Sequence, residues 1–194
     1  MNERLHSIRT CVDKSIAVKQ TILEDDALLQ RLDACVDICV ESLKKGGKIW
    51  LAGNGGSAAD AQHIAAELSG RFYMDRRPLP AEALHVNTSF LTAVANDYGY
   101  DQVYARMFRG SAHKEDVLIA ISTSGNSANI LNVIGEAKLM SVPVIGMTGA
   151  TGGRMENLCT QLLNVPSDDT PRIQECHIML GHILCELIEK EMFA

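Results

Sequence analysis

The sequence predicts an α/β protein, a three-layer sandwich in which a central, mostly parallel sheet is flanked by helices. Three observations carry that prediction. Short, almost wholly apolar runs (Ile49–Ala52, Asp116–Ile121, Val142–Met147 and Gln161–Val165) alternate with longer stretches of helical period. These runs lack polar–apolar alternation, as expected of strands buried on both faces under helices. The first three open at their C-terminal ends into turns of small, polar residues, the place where ligands of such sheets bind.

Residues 3–23 and 28–45 read as helices. In the first, Leu5, Ile8, Cys11 or Val12, Ser15 and Ile16 recur at helical spacing, and Val18, Ile22 and Leu23 extend the pattern. In the second, Leu28, Leu32, Cys35, Val36, Cys39, Val40 and Leu43 form a stripe wide enough to require a sheet, another helix or another subunit against it. Lys44–Lys45–Gly46–Gly47 closes that helix with basic residues and then glycine. Ile49–Ala52 is a buried strand, Gly53–Ser57 a turn, and Ala58–Gly70 a helix.

A turn over Asp75–Pro80 leads to a short strand at Ala81–Val86. Asn87 to Ser89 can cap a helix over Phe90–Ala95, which Asn96–Asp97–Tyr98–Gly99 should break. Gln102–Gly110 is helical. The strand Asp116–Ile121 runs into Ser122–Thr123–Ser124–Gly125–Asn126–Ser127 and a helix over Ala128–Leu139. Val142–Met147 repeats the pattern, followed by a glycine-rich turn over Thr148–Gly153, a short helix over Arg154–Leu158, and the run Gln161–Val165. Thr170–Phe193 is a long helix whose apolar face carries Ile173, His177, Leu180, Leu184, Leu187 and Ile188.

At 194 residues the chain is read as one domain, 1–194, with the N-terminal helices 3–45 packing on it and contributing to an oligomer interface. A net charge of -6 gives no basis for nucleic acid or an anionic membrane as partner. No apolar run reaches transmembrane length, and residues 1–20 carry charges where a secretory leader would be apolar, so the expected location is the cytoplasm. Six cysteines without a C-x-x-C pair read as buried thiols. Cys35 and Cys39, at i,i+4, lack the two further ligands that a zinc site needs.

Gly53–Asn54–Gly55–Gly56–Ser57 joins a strand to a helix, where free N–H groups can hold an anion. Ala58 spoils the dinucleotide pattern and no phosphate-binding loop with lysine follows; a tight turn without a ligand explains these glycines as well. The serine-rich loop is stronger. Four hydroxyls in six residues, between a buried strand and a helix start, suit a phosphate monoester held by neutral donors, and helix capping alone needs only one or two of them. His63 and Glu67 share one helix face at i,i+4. Gln174 and His182 lie eight residues, roughly 12 Å, apart on the last helix. Imidazole and carboxylate suit zinc, and glutamine much less so. By spacing alone, His63 and Glu67 are equally a surface pair, His182 equally a packed histidine, and Glu175 and His177 compete on the same helix.

The strings AGNGGSAADAQHIAAELSGRF, TAVANDYGYDQVYAR, EDVLIAISTSGNSANIL, MTGATGGRM and VPSDDTPRIQECHIMLGHILCELIEKEM resemble the phosphoheptose isomerases of the sugar isomerase (SIS) domain class over essentially the whole chain. The resemblance implies a Rossmann-like SIS domain and a homotetramer. It also implies conversion of sedoheptulose 7-phosphate to D-glycero-D-manno-heptose 7-phosphate for lipopolysaccharide or capsule, by acid/base proton transfer through an enediolate. Carried over residue by residue, it makes Ser122, Thr123, Ser124 and Ser127 the phosphate cradle. Asn54, Gly55 and Gly56 would line the sugar pocket, and Asn96 and Asp97 would hold hydroxyls. His63, Glu67, Gln174 and His182 would bind one Zn2+ per subunit, with Glu67 and His182 as acid and base and with Glu67 and Gln174 also meeting substrate. Arg71 and Asp168 or Asp169 are further contacts. The alternative is a non-catalytic phosphosugar-binding SIS protein that binds the replication initiator DnaA. Such proteins usually lack the glutamate after the histidine and carry arginine in the serine-rich loop; Glu67 and Ser124 favour the enzyme.

Overall fold

A computed structural model describes residues 2–193 of the chain. Its elements, in order, are α1 (Glu3–Glu24), α2 (Asp26–Lys44), β1 (Ile49–Ala52), α3 (Gly56–Ser69), β2 (Ala81–Ala83), α4 (Thr88–Tyr98), α5 (Val103–Ser111), β3 (Val117–Ile121), α6 (Ala128–Leu139), β4 (Val144–Thr148), β5 (Gln161–Asn164) and α7 (Thr170–Phe193). The five strands form one sheet in the order β2-β1-β3-β4-β5, every neighbouring pair parallel. The α/β three-layer sandwich expected from the sequence is the fold.

Strand residues divide by alternation. Ile49, Leu51, Val117, Ile119, Ile121, Ile145, Met147 and Leu163 pack under α2, α3 and α7. Trp50, Ala52, Leu118, Ala120, Val144 and Leu162 pack under α5 and α6, with Val94 of α4. Each fully buried leucine or isoleucine gains about 1.5–3 kcal/mol; with both faces covered, the central strands β1 and β3 carry no polar side chain, and Glu82, Gln161 and Asn164 fall on the edge strands β2 and β5. The buried residues of α2 include every member of its predicted stripe. Its start is fixed by Asp25, whose carboxylate accepts from the Leu28 N–H at 2.9 Å.

Several boundaries differ from expectation: the strand expected over Ala81–Val86 stops at Ala83, that over Val142–Met147 runs from Val144 to Thr148, and four further differences have a clear cause or bear on the site. Helix α3 begins at Gly56 rather than Ala58, because Gly55 takes the cap position at φ +56°, a region open to glycine. Helix α4, capped by Asn87 onto the Phe90 N–H at 3.0 Å, runs through Asn96 and Asp97 and stops only at Gly99, φ +89°. Strand β3 starts after Asp116, whose carboxylate instead accepts from the Lys48 N–H (2.8 Å), the Trp50 indole (2.8 Å) and the His113 N–H (2.9 Å). The helix expected over 154–158 is a single 3-10 turn at Gly153–Met155.

Strand order makes the gap between β1 and β3 a topological switch point, since the chain leaves β1 toward β2 on one side and returns to β3 on the other. In open α/β sheets such a point opens a crevice at the carboxyl ends of the strands. Both the glycine turn and the serine-rich loop start there.

Candidate active site

The glycine turn is tied to the helix that follows the serine-rich loop. The side-chain amides of Asn54, in the glycine turn, and Asn129, in the first turn of α6, exchange hydrogen bonds of 2.9 and 2.8 Å. The Tyr104 hydroxyl donates to the Gly53 carbonyl at 2.5 Å and lies 3.5 Å from the Asn54 amide oxygen. Burial raises the Tyr104 phenol well above its ordinary value, with the hydrogen bond to Tyr100 adding to the effect. The phenol is therefore a fixed donor. Gly55 and Gly56 are exposed on the crevice side of the turn; a Cβ on Gly56 would run into the side-chain amide of Gln174.

In the serine-rich loop, Ser127 occupies the cap position of α6 but makes no side-chain cap bond. Its hydroxyl lies 3.0 Å from that of Ser122. Thr123 and Ser124, with Gly149, Ala150, Ser167 and Asp168, line a cavity of about 300 Å³. Of the four expected cradle hydroxyls, Thr123 and Ser124 therefore border the cavity, while those of Ser122 and Ser127 meet each other beside it.

Helices α3 and α7 lie side by side. Gln174 rests on Gly56, and Gly181 faces Ile64 so closely that a Cβ there would overlap the Ile64 side chain. That contact brings His63 and His182 to a ring-centroid distance of 5.1 Å, edge to face. His63 Nε2 lies 3.1 Å from Glu67 Oε1. One donor atom from each of His63, Glu67 and His182 falls within 4.8 Å of the others, a spacing and donor set that suit a divalent metal. Phe72 covers one side of His182, with ring centroids 5.8 Å apart.

Sequence reasoning missed Asp60, one turn before His63. One of its carboxylate oxygens is buried without a hydrogen-bond partner. Burial raises its pKa, and His63 and His182 pull it back down. An unpaired buried oxygen beside two imidazoles fits a site that receives a cation or a proton. The i,i+3 spacing to His63 was the available signal. Asn129 was also missed; it is nearly invisible in sequence because its partner lies 75 positions away.

The remaining expected residues are dispersed. Asn96 and Asp97 are exposed at the end of α4, hydrogen-bonded to each other at 2.8 Å. Arg71 and Asp169 are exposed. Of the competitors on α7, His177 is fully buried with Nε2 3.1 Å from the Thr148 carbonyl, and Glu175 pairs with Arg172 at 2.7 Å.

This arrangement has close counterparts. A family model for the SIS domain matches residues 12–149. A phosphoheptose isomerase of Aneurinibacillus thermoaerophilus is 48% identical over 186 residues, covering 96% of this chain and 94% of that protein. One from Nitratiruptor sp. is 60% identical over 153 residues, 79% of this chain and 82% of its own. Among solved structures, a phosphoheptose isomerase from Francisella tularensis superposes with a TM-score of 0.92 at 36% identity, covering 98% of this chain and 100% of that one. Another, from Neisseria gonorrhoeae, gives 0.90 at 40% identity over 96% and 98%.

Proposed function

This chain belongs to the phosphoheptose isomerase family of SIS-domain proteins, and from that premise we propose that it converts sedoheptulose 7-phosphate to D-glycero-D-manno-heptose 7-phosphate. The observation that carries the reading is the meeting of His63, Glu67 and His182 on two helices that flank the crevice. Ser122, Thr123, Ser124 and Ser127 hold the phosphate. Asn54, Gly55 and Gly56 line the sugar, with Asn96 and Asp97 as hydroxyl contacts.

Ketose–aldose exchange removes a proton from C1. The C1–H electron pair forms the C1=C2 double bond, and charge builds on the C2 oxygen. The C2 oxygen takes up a proton, O1 gives up its own as the C1=O double bond forms, and the C1=C2 electron pair takes a proton at C2, so that the aldose carries as many protons as the ketose did. Glu67 and His182 are the acid/base pair for these transfers. Binding energy from the remote phosphate orients the reacting carbons.

His63, Glu67 and His182, with Gln174 as a fourth ligand, would hold one Zn2+ per subunit; bound there, zinc polarises the sugar oxygens as a Lewis acid. We further propose a cytoplasmic homotetramer whose product supplies the heptose of lipopolysaccharide or capsule.

The test is turnover of sedoheptulose 7-phosphate followed by aldose formation. The wild-type protein should turn over, strong chelation should abolish activity until zinc is restored, and Glu67→Gln should lose about 100-fold or more in kcat. Absence of turnover at every zinc level refutes the isomerase reading; turnover indifferent to chelation removes zinc from it.

A further inference from the structure

An asparagine amide can present either its N–H or its carbonyl to a ligand, and what lies behind it decides which. Behind Asn54 stands Asn129, only 3% exposed. The backbone N–H of Ile130 donates to Asn129 Oδ1 at 3.0 Å, so the oxygen of Asn129 is assigned by the backbone of α6 itself. That leaves Asn129 Nδ2 to donate to Asn54 Oδ1 at 2.8 Å, and Asn129 Oδ1 to accept from Asn54 Nδ2 at 2.9 Å. The Tyr100 and Tyr104 hydroxyls, each 3.5 Å from Asn54 Oδ1, crowd the same oxygen. The acceptor of Asn54 is therefore occupied from behind, and its second N–H is the group left to face the crevice.

We infer that Asn129 is a positioning residue that fixes Asn54 as a hydrogen-bond donor toward a sugar oxygen, and that it ties the reacting end of the site to the helix that follows the phosphate loop. The inference rests on the reading of Asn54 as a sugar contact. Its physical content is a chain of assignments: helix N–H to Asn129 oxygen, Asn129 to Asn54, Asn54 to substrate. None of these contacts is made by the loop 122–127, so the phosphate end should not register the loss of Asn129.

The experiment is a double-mutant cycle on the full-length protein with sedoheptulose 7-phosphate, together with inhibition by inorganic phosphate. Asn54→Ala and Asn129→Ala should each lower kcat by about tenfold, the worth of one well-placed hydrogen bond. The double variant should lose no more than either single one. Asn129→Asp, which can accept but not donate, should behave like Asn129→Ala at a pH where it is ionised and guards against a packing defect. Phosphate inhibition should stay within about twofold of wild type in every variant. If Asn54→Ala is impaired while Asn129→Ala is normal, or the two losses multiply, the inference falls and the sugar contact stands. If Asn54→Ala is normal, both fall. If phosphate inhibition weakens in step with kcat, Asn129 serves the whole site as scaffold and the inference is overturned.

Discussion

His177 and His182 sit five positions apart on α7 and have opposite fates. The side chain of His177 points into the core, where burial lowers its pKa from 6.5 to about 4 and the hydrogen bond to the Thr148 carbonyl only partly opposes that. Its consequence for stability has a definite sign. Between pH 6.5 and 4 the unfolded chain protonates this imidazole and the folded chain does not, so stability falls as pH drops through that window and is fully retained above it. The size is about 3 kcal/mol from one such group. Urea unfolding across this range should show the slope in the wild-type protein and a shallower one in His177→Gln. His182 instead faces α3 and meets His63. Sequence placed His177 in the apolar stripe, and it is buried, but the pairing of His182 with His63 depended on a contact between residues 119 positions apart.

At the scale of elements, the placing of α3 against α7 decides the site. Helix α3 has no basic residue in its last turn, so its terminal carbonyls look elsewhere. Arg76 donates to the carbonyls of Glu67 (2.9 Å), Leu68 (2.8 Å) and Gly70 (2.9 Å). It also binds Glu189 of α7 at 2.9 Å. Burial alone would raise the Glu189 carboxyl, but the N–H groups of Met74, Tyr73 and Phe72, with Arg76, hold it below its usual range. This pair is almost wholly buried, at 3% and 1% side-chain exposure, and it fastens the helix bearing Glu67 to the helix bearing His182. Removing one partner strands a buried charge, so Arg76→Met or Glu189→Gln should cost about 3–5 kcal/mol in urea unfolding. The Arg76→Met/Glu189→Met double variant should lose less than the sum of the single changes. Higher up, Gly181→Ala should cost about 1–3 kcal/mol by overpacking against Ile64, with Ile64→Val recovering part of it. Neither device was readable in advance: an arginine in a turn and a glycine in a helix acquire these roles only from their neighbours.

The whole molecule leaves one apolar face uncovered. Leu5, Ile8, Val12 and Ile16 of α1 are 51–57% exposed, and Ile22 is the buried residue of that helix. Such a stripe fits the proposed tetramer, for which a subunit contact would bury it. Sedimentation should give four subunits for the wild-type protein and smaller species for the Ile8→Glu/Ile16→Glu variant; a monomeric wild-type protein would remove the tetramer from the proposal. What the sequence determined by itself was the fold class, the strand and helix order, and the polar loops at the carboxyl ends of the strands, because hydrophobic period and turn chemistry are local properties of the chain. Where α4 ends and how His63, Glu67 and His182 converge were decided only in three dimensions. Those outcomes depend on close approach between helices, on a buried ion pair and on one amide facing another, interactions between residues that no local pattern relates.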